Sequence, residues 1–348
     1  MIEIGGRAVG LDATPFFIAE MSGNHNASLD RALAIVDAIA DTGAHALKLQ
    51  TYTADTMTLD IREGDFLIDD AKSLWNGRTL YDLYEEAHTP WEWHAPIFER
   101  AKQRGMLAFS TPFDASAVDF LADLDVPCYK IASFENTDLP LIRKAASKGK
   151  PLIISTGMAS LAEIGETVAA AREAGCEQIV LLKCTSAYPA SPAEINLKSI
   201  PHLREAFGVE VGLSDHTLGI GVSVAAVALG ATVIEKHVTL RRADGGVDSA
   251  FSLEPDEVRM LIRETAVARQ AIGGVSYGKG LTEEGSARFR RSLYVVKDIA
   301  AGEVFSADNI RAIRPGFGLS PKHIEQISGR RAARAIKRGT PVSWDLLV

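Results

Sequence analysis

Cysteine is scarce in this chain. Its 348 residues include only Cys128, Cys176 and Cys184, which are too few and too scattered for a disulfide framework. Because disulfides persist mainly in oxidising compartments, we expect reduced thiols and a cytoplasmic protein. The amino terminus has no basic segment followed by an apolar stretch, so we also expect no secretory signal.

Long apolar runs and an excess of positive charge are missing too. No apolar stretch approaches the roughly 18 residues that a membrane-spanning helix needs, so we expect no membrane partner. The net charge of −8 argues against nucleic acid as a main partner. Hydrophobic residues make up 47% of the chain and charged residues 24%, which is typical of a globular protein.

The chain does contain a regular alternation of apolar strand-like segments and helical segments up to residue 272. Eight such strand–helix units in roughly 260 residues predict a closed (β/α)8 TIM barrel of class α/β. The strands are predicted at 16–18, 46–49, 107–109, 128–131, 151–154, 179–182, 211–213 and 232–234. The helices are predicted at 29–40, 91–104, 115–124, 139–148, 161–174, 219–229 and 255–272.

One connection, from residue 51 to about residue 90, is much longer than the others. It contains Trp75 and several tyrosines among aspartates and glycines. Connections of this length inside compact domains are usually functional loops or lids.

The pattern changes after residue 280, and residues 286–348 contain an internal repeat at an offset of 37 residues. The repeated positions are Ile299, Gly302, Phe305, Ser306, Asp308 and Ile310, matched by Ile336, Gly339, Val342, Ser343, Asp345 and Leu347. Each copy predicts a strand, a glycine turn, a strand and a serine-capped helical turn. We therefore predict a barrel domain at 1–276, a linker at 277–287 and a small β-rich domain at 288–348. Residues 281–348 carry 12 basic and 7 acidic residues, which suits docking, capping of an anionic ligand or a solvated surface.

Two histidines follow successive predicted strands in the segment 210–239. Because parallel strand ends lie side by side on one face of a barrel, His216 and His237 could reach a common point. Two neutral imidazoles, oriented by Asp215 and Glu235, would suit a divalent transition metal. The alternative is that both are structural histidines with satisfied hydrogen bonds.

Lysines within apolar strands form a second unusual feature. They are costly to bury without an anion. Together with hydroxyl groups at other strand ends, they predict a pocket for a phosphate or carboxylate. The hydroxyls alone could equally be helix caps. The lysines are Lys48, Lys130, Lys183 and Lys236.

Eight short motifs lie at or near the ends of the predicted strands. They are AEMSGNHN (19–26), KLQT (48–51), STPFD (110–114), YKIASFE (129–135), STGM (155–158), CTSAYP (184–189), GLSDHT (212–217) and EKH (235–237). Through these motifs the chain resembles the sialic acid synthase (nonulosonic acid synthase) family, which joins phosphoenolpyruvate (PEP) to an N-acylated amino sugar. The resemblance covers nearly the whole sequence, and 314–318 with the repeat resembles the antifreeze-like (SAF, β-clip) domain of that family. Segments 48–60 and 73–94 are most similar to its pseudaminic acid synthase branch.

The resemblance implies roles for individual residues. His216 and His237 would bind a divalent metal, Mn²⁺ or as substitutes Mg²⁺ or Co²⁺, and Glu20 would join them as a catalytic residue. Arg314 would reach the N-acyl group in the partner subunit's site, which implies a domain-swapped homodimer. Sialic acid synthases carry Asn where this chain has Ser186, a departure that puts this PEP contact in doubt. The PEP-binding set would be Lys48, Thr111, Lys130, Ser133, Ser155, Ser186 and Ser214, and the sugar-binding set Gln50, Glu135, Tyr188, Asp248 and Arg314.

For this branch, the resemblance implies condensation of PEP with 2,4-diacetamido-2,4,6-trideoxy-altrose and water to give pseudaminic acid and phosphate. A mannose-type acceptor, giving a sialic or legionaminic acid, is the alternative within the family. A Schiff-base aldolase acting through Lys130 or Lys183 is a second alternative. A non-catalytic carbohydrate- or ice-binding protein is a third.

Overall fold

The computed structural model describes residues 1–70 and 73–348, and the chain forms two compact units, Met1–Gly273 and Gly274–Val348. The first unit contains the predicted closed barrel of eight parallel strands, in which each strand pairs with the next and the last pairs with the first. The barrel strands are β3 Phe16–Glu20, β4 Ala46–Thr51, β5 Leu107–Pro112, β6 Tyr129–Ile131, β7 Leu152–Ser155, β8 Ile179–Cys184, β9 Glu210–Ser214 and β10 Val233–His237.

The helices predicted around the barrel are confirmed to within two residues at each end. Several begin where a serine or aspartate accepts a backbone N–H bond, as Ser28 and Ser160 do. The sequence prediction missed α8 and the two helices inside the long connection. The helices of this unit are α1 Leu29–Ala40, α2 Ala54–Met57, α3 Leu80–Ala87, α4 Trp91–Gln103, α5 Ala115–Asp123, α6 Leu139–Ala146, α7 Leu161–Glu173, α8 Ser199–Phe207, α9 Gly221–Ala228 and α10 Pro255–Ile272.

An amino-terminal hairpin covers one end of the barrel. Its strands, β1 Ile2–Ile4 and β2 Arg7–Val9, are antiparallel and bury Ile4 and Val9 in the barrel core. The Met1 ammonium lies 3.2 Å from Glu210 at the start of β9. Because the hairpin occupies the amino-terminal ends of the strands, their carboxyl ends are the face on which loops can build a site.

The long connection between β4 and α4 is partly ordered as helix. Thr79 caps α3 by accepting a hydrogen bond from the Asp82 N–H at 3.0 Å. Upstream, the Ile68 N–H donates to the Arg78 carbonyl, which closes a loop between them. Residues 71 and 72 of this predicted lid lie outside the described residues.

The second unit is built on the internal repeat. Its strands are β11 Ser292–Val295 and β12 Ile310–Ile313, and its short helices are α11 Glu284–Ala287 and α12 Ile324–Ile327. Ile299 and Ile336, equivalent positions of the repeat, exchange two backbone hydrogen bonds. The Gly302 N–H donates to the Ala332 carbonyl and the Gly339 N–H to the Val295 carbonyl, contacts related by the same offset of 37 residues. The two copies are thus related by an approximate two-fold axis.

The helical turn predicted after each repeat differs between the copies. The second copy forms the short 3-10 helix Trp344–Leu346, without a hydrogen bond from the Ser343 side chain to its backbone. In the first copy, Ser306 accepts a bond from the Asp308 N–H without a continuing helix.

Two expectations about the chain as a whole can be compared with the structure. None of the described helices combines the length and apolarity needed to cross a bilayer. Cys128, Cys176 and Cys184 are buried and form no disulfide.

Candidate active site

Strand alternation sorts the polar side chains of β10 into two environments. Glu235 and His237 point into the barrel, where Glu235 Oε1 lies 3.8 Å from the Nζ atoms of both Lys48 and Lys130. Lys236, between them, points outward and lies 3.1 Å from Asp215 Oδ2. Successive side chains of a strand face opposite sides, so neighbouring charges here belong to different clusters.

The barrel interior holds four charged residues, Glu20, Lys48, Lys130 and Glu235, which we call the inner cluster. Lys48 forms an ion pair with Glu20 and donates to Thr111 Oγ1 at 3.1 Å. Lys130 donates to Ser155 Oγ at 2.7 Å. All four side chains are almost completely buried, yet Glu20 Oε1 and Glu235 Oε2 have no hydrogen-bond partner among residues 1–70 and 73–348.

The inner cluster perturbs the pKa values of its members. Burial, reinforced by Glu235 and opposed by Lys48, raises the pKa of Glu20 to about 7. Burial lowers the pKa of Lys130, although Glu235 partly offsets it. Burial also opposes the charge of Lys48, but Glu20 and Glu235 hold its pKa above the ordinary value. The cluster therefore combines two buried lysines with a carboxyl group, Glu20, that can exchange a proton near neutral pH.

Hydroxyl groups surround the two lysines. Ser214 donates to Glu235 Oε1 at 3.3 Å, and Ser133 accepts a bond from the Gly157 N–H at 3.1 Å. A Cβ atom at position 157 would lie 2.6 Å from Ser133 Oγ and 2.3 Å from Ser186 Oγ, so glycine is required for these serines to converge. The predicted PEP-binding residues Lys48, Thr111, Lys130, Ser133, Ser155, Ser186 and Ser214 thus belong to one continuous network or adjoin it.

The two histidines lie next to each other at the same end of the barrel. Their ring centroids are 5.5 Å apart. His216 Nδ1 bonds the Thr185 carbonyl at 3.0 Å, which leaves Nε2 free. His237 Nδ1 is buried and has no hydrogen-bond partner among the described residues. Burial together with His216 and Lys48 lowers the pKa of this imidazole well below the ordinary value. Burial acts against a proton on His216 as well, but its contacts with Cys184 and the Thr185 carbonyl raise its pKa.

The two imidazoles are close enough to each other to serve as a pair of metal ligands. A metal needs neutral imidazole nitrogens, and His237 supplies a neutral ring with an unbonded buried nitrogen. Within residues 1–70 and 73–348, no group of three or more His, Cys, Asp and Glu side chains is arranged to hold a metal ion. A bound cation would therefore rely on two protein ligands and keep positions open for substrate or water.

The residues predicted to contact the sugar lie in different places. Tyr188 packs on His216 with ring centroids 4.4 Å apart, and Asp248 Oδ2 lies 3.8 Å from His237 Nδ1. Glu135 Oε2 is buried and has no hydrogen-bond partner in the part of the chain that the structure describes, and burial raises the pKa of this carboxyl to about 7. Gln50 follows Lys48 by two positions on β4 and shares its face. Arg314 is an exposed residue of the second unit.

Three sequence predictions about the site are wrong, because side chains that we expected at the barrel interior face the other side of their strand or of the residues that follow it. Lys183 and Lys236 do not join the anion pocket: Lys183 donates to the Cys184 carbonyl at 2.8 Å, and Lys236 pairs with Asp215 outside the barrel. Asp215 does not orient either imidazole. It accepts bonds from Thr217 and Ser223, which lies on α9. The outward position of Lys183 also removes it as a Schiff-base candidate in the interior.

Other residues of the site were missed. Cys184 Sγ lies 4.0 Å from His216 Nδ1. Burial opposes ionisation of this thiol, but the contact with His216 favours it and lowers the pKa of Cys184 to about 7. Asn136 holds the loop after β7 by donating to the Ser155 and Gly157 carbonyls. Ser22 bonds Asp248. Alternation places Cys184 on the inner face of β8, but the other contacts join distant segments and need the folded chain.

Comparisons with known proteins match both units. The NeuB family model matches residues 35–277, and the SAF domain model matches residues 290–348. A pseudaminic acid synthase of Campylobacter jejuni subsp. jejuni serotype O:23/36 (strain 81-176) is 44% identical, covering 94% of this chain and 95% of that protein. An N,N'-diacetyllegionaminic acid synthase of C. jejuni subsp. jejuni serotype O:2 is 37% identical, covering 92% and 96%.

Solved structures give the same result. The crystal structure of an N-acetylneuraminic acid (sialic acid) synthetase from Leptospira borgpetersenii, in complex with citrate, superposes with a TM-score of 0.73 at 31% identity. It covers 82% of this chain and 94% of that one. With the barrel, the inner cluster and the paired imidazoles in place, this chain belongs to the NeuB family, with a carboxyl-terminal SAF domain.

Proposed function

We propose that this protein is a pseudaminic acid synthase, an enzyme that condenses PEP with 2,4-diacetamido-2,4,6-trideoxy-altrose and water to give pseudaminic acid and phosphate. One observation carries the proposal. Two buried ammonium groups, Lys48 and Lys130, adjoin two imidazoles at the carboxyl end of a barrel, surrounded by hydroxyls and by carboxylate oxygens that lack partners.

The inner cluster and its hydroxyls suit the charge of PEP, which carries a phosphate and a carboxylate. Lys130 and Ser155 form one donor pair, and Lys48 and Thr111 form another. Charge-assisted hydrogen bonds from buried ammonium groups are among the stronger polar contacts in proteins. The same groups would stabilise the phosphate as it departs.

The condensation forms one carbon–carbon bond and one carbon–oxygen bond, and it breaks the carbon–oxygen bond between C2 and phosphate. C3 of PEP attacks the aldehyde carbon of the open-chain sugar, and the aldehyde oxygen takes up a proton. Water adds at C2 and loses one proton, which gives a tetrahedral intermediate. This intermediate expels phosphate while its new hydroxyl loses the second proton, and a ketone remains. Glu20 and Glu135, whose pKa values are raised by burial to about 7, are suited to carry these protons.

His216 and His237 would hold the divalent cation, with Mn²⁺ as our first choice and Mg²⁺ or Co²⁺ as substitutes. When bound, such a cation supplies Lewis-acid polarisation of the aldehyde. Asp248 Oδ2 lies 3.8 Å from His237 Nδ1, too far for a hydrogen bond, and would place a carboxyl group beside the histidine pair. We also propose a homodimer in which Arg314 reaches the acceptor's N-acyl group in the partner's site.

The choice of acceptor follows the relatives. Identity to the pseudaminic acid synthase is 44%, against 37% for the legionaminic acid synthase. This favours the altrose configuration over a mannose-type acceptor.

The test is release of phosphate from PEP by purified protein with Mn²⁺ and three separate acceptors. These are the 2,4-diacetamido-altrose sugar, its mannose-type counterpart and N-acetylmannosamine. We expect release that depends on acceptor and is fastest with the altrose sugar. Faster turnover with a mannose-type acceptor would overturn the proposed specificity, and no release with any acceptor would overturn the function.

A further inference from the structure

We propose that Trp75 determines acceptor specificity by closing an apolar aromatic wall over the distal end of the sugar. The inference rests on the proposed function and refines it. The wall consists of Trp75, Tyr188 and Phe251, which come from three segments far apart in the sequence.

The wall begins at the imidazoles and extends outward. The Tyr188 ring lies 4.4 Å from His216, and the Phe251 ring lies 5.0 Å from His237. Trp75 contacts the Tyr188 ring at 5.9 Å between centroids. Trp75 is therefore one ring further than Tyr188 from the imidazoles.

The indole is anchored in this position. Its Nε1–H donates to the Val247 carbonyl at 3.1 Å, in the loop that also carries Asp248. The loop that carries Trp75 is closed at its base, where the Gly77 N–H donates to the Ile68 carbonyl at 2.8 Å. These bonds hold Trp75 against the loop that follows β10.

The helix that follows the Trp75 loop is packed just as closely on the mouth. A Cβ atom at Gly23 would lie 3.2 Å from the Ala87 backbone at the end of α3 and 2.7 Å from Val247 Cγ2. Three segments thus meet at Gly23: the turn after β3, the end of α3 and the loop that carries Val247, to which Trp75 is hydrogen-bonded.

The chemistry of the wall defines what it accepts. The one polar group of the indole already has its hydrogen bond to Val247, and Phe251 is buried against the Tyr188 ring, which it supports. The indole beyond Tyr188 therefore offers apolar and π contacts but no hydrogen bond. In the proposed binding mode, a six-carbon aldehyde has its reacting carbon at the imidazoles and its distal carbons towards Trp75. A methyl group at carbon 6 suits that surface. The hydroxyl of a hydroxymethyl group would lose its hydrogen bonds to water there without forming a hydrogen bond to the protein.

The magnitude of this selection is limited. An apolar pocket rejects a ligand that merely adds a hydroxyl by up to about 100-fold. Trp75 should therefore contribute about 10- to 100-fold to the preference for the 6-deoxy acceptor.

The experiment measures kcat/KM for a matched pair of acceptors, the 2,4-diacetamido hexose with and without a hydroxyl at carbon 6. It compares the wild type with Trp75→Ala, Trp75→Phe and the exposed neighbour control Leu74→Ala. We expect Trp75→Ala to bring the preference to within about threefold, mainly through the KM of the 6-deoxy sugar, with the KM of PEP unchanged. Trp75→Phe should retain most of the preference, and Leu74→Ala all of it.

An unchanged preference in Trp75→Ala, or an equal loss with both acceptors, would overturn the inference while leaving the proposed function intact. Failure of the wild type to turn over either acceptor with PEP would overturn the function and the inference together.

Discussion

Two buried charge clusters lie on opposite faces of β10, and they differ in how completely their hydrogen bonds are satisfied. The outer cluster is Asp215 and Lys236. Asp215 Oδ1 accepts from the Thr217 N–H and hydroxyl, and Oδ2 accepts from Ser223 and pairs with Lys236. The inner cluster is just as buried, but within the described residues Glu20 Oε1 and Glu235 Oε2 have no hydrogen-bond partner.

The difference separates stability from function. A saturated buried ion pair fixes the backbone between β9 and α9 and has no capacity left for a ligand. Buried carboxylate oxygens without hydrogen-bond partners destabilise the folded protein, and such groups are characteristic of sites that act on a substrate. The inner cluster therefore should bind and react, while the outer cluster should only hold the strands in place.

The largest effect should come from the imidazole beside the inner cluster. His237→Ala is expected to lower kcat/KM by more than about 100-fold, because it removes a proposed metal ligand. Removing a residue that only supports a metal ligand typically costs about 10- to 100-fold, and losing the ligand itself should cost more. Phosphate release and circular dichroism are the measurements. The exposed His202→Ala is the matched control. Full turnover by His237→Ala in metal-free buffer would contradict the metal assignment.

The outer cluster can be broken by Lys236→Met. This change leaves Asp215 charged and buried without its cation, and breaking such a pair costs roughly 3–5 kcal/mol. Urea denaturation of the apo protein should show that loss. The double variant Asp215→Asn with Lys236→Met should recover part of it, because no unpaired charge remains. A loss below about 1 kcal/mol would mean that the pair is not needed for stability.

Much of this arrangement follows from the sequence. The alternating pattern predicts the closed barrel, and the strand ends identify Lys48, Lys130, His216 and His237. The face on which Lys236 lies could not be predicted, because a lysine inside an apolar strand can face either side of the barrel wall. A one-residue shift in the register of the strand exchanges the two faces.

Contacts between distant segments were beyond prediction from pattern. Trp75 reaches Val247 across 172 residues, and Asp248 reaches Ser22 across 226. Neither pair has a local periodicity that would reveal it. The helix α3 was missed for a different reason: it is short and lies inside a connection rich in polar residues, so its Thr79 cap was the only strong indication.

The smallest predicted effect concerns pH and Glu135. Burial raises the pKa of this group to about 7 from an ordinary value of 4.5, against the attraction of Lys130 and with repulsion from Asp138. The folded state then binds its proton more tightly than the unfolded state, so stability falls as pH rises from about 4.5 to 7. In the wild type, Glu135 should lower the free energy of unfolding by an amount on the order of 1–3 kcal/mol over this pH range, and Glu135→Gln should remove that decrease. The similar pH dependence that comes from Glu20 should remain. Equal slopes for variant and wild type in urea denaturation across this range would contradict the assignment.

The most direct test of the central distinction is the affinity for PEP, measured by isothermal titration calorimetry with saturating Mn²⁺ and no acceptor. Lys130→Met and Lys236→Met are compared with the wild type at a temperature where all three are folded. Losing a buried hydrogen-bonded charge costs about 2–5 kcal/mol, so Lys130→Met should raise the Kd at least about 30-fold, whereas Lys236→Met should stay within about threefold. Equal weakening in both variants, or no weakening in Lys130→Met, would contradict the division between a reactive inner cluster and a structural outer one.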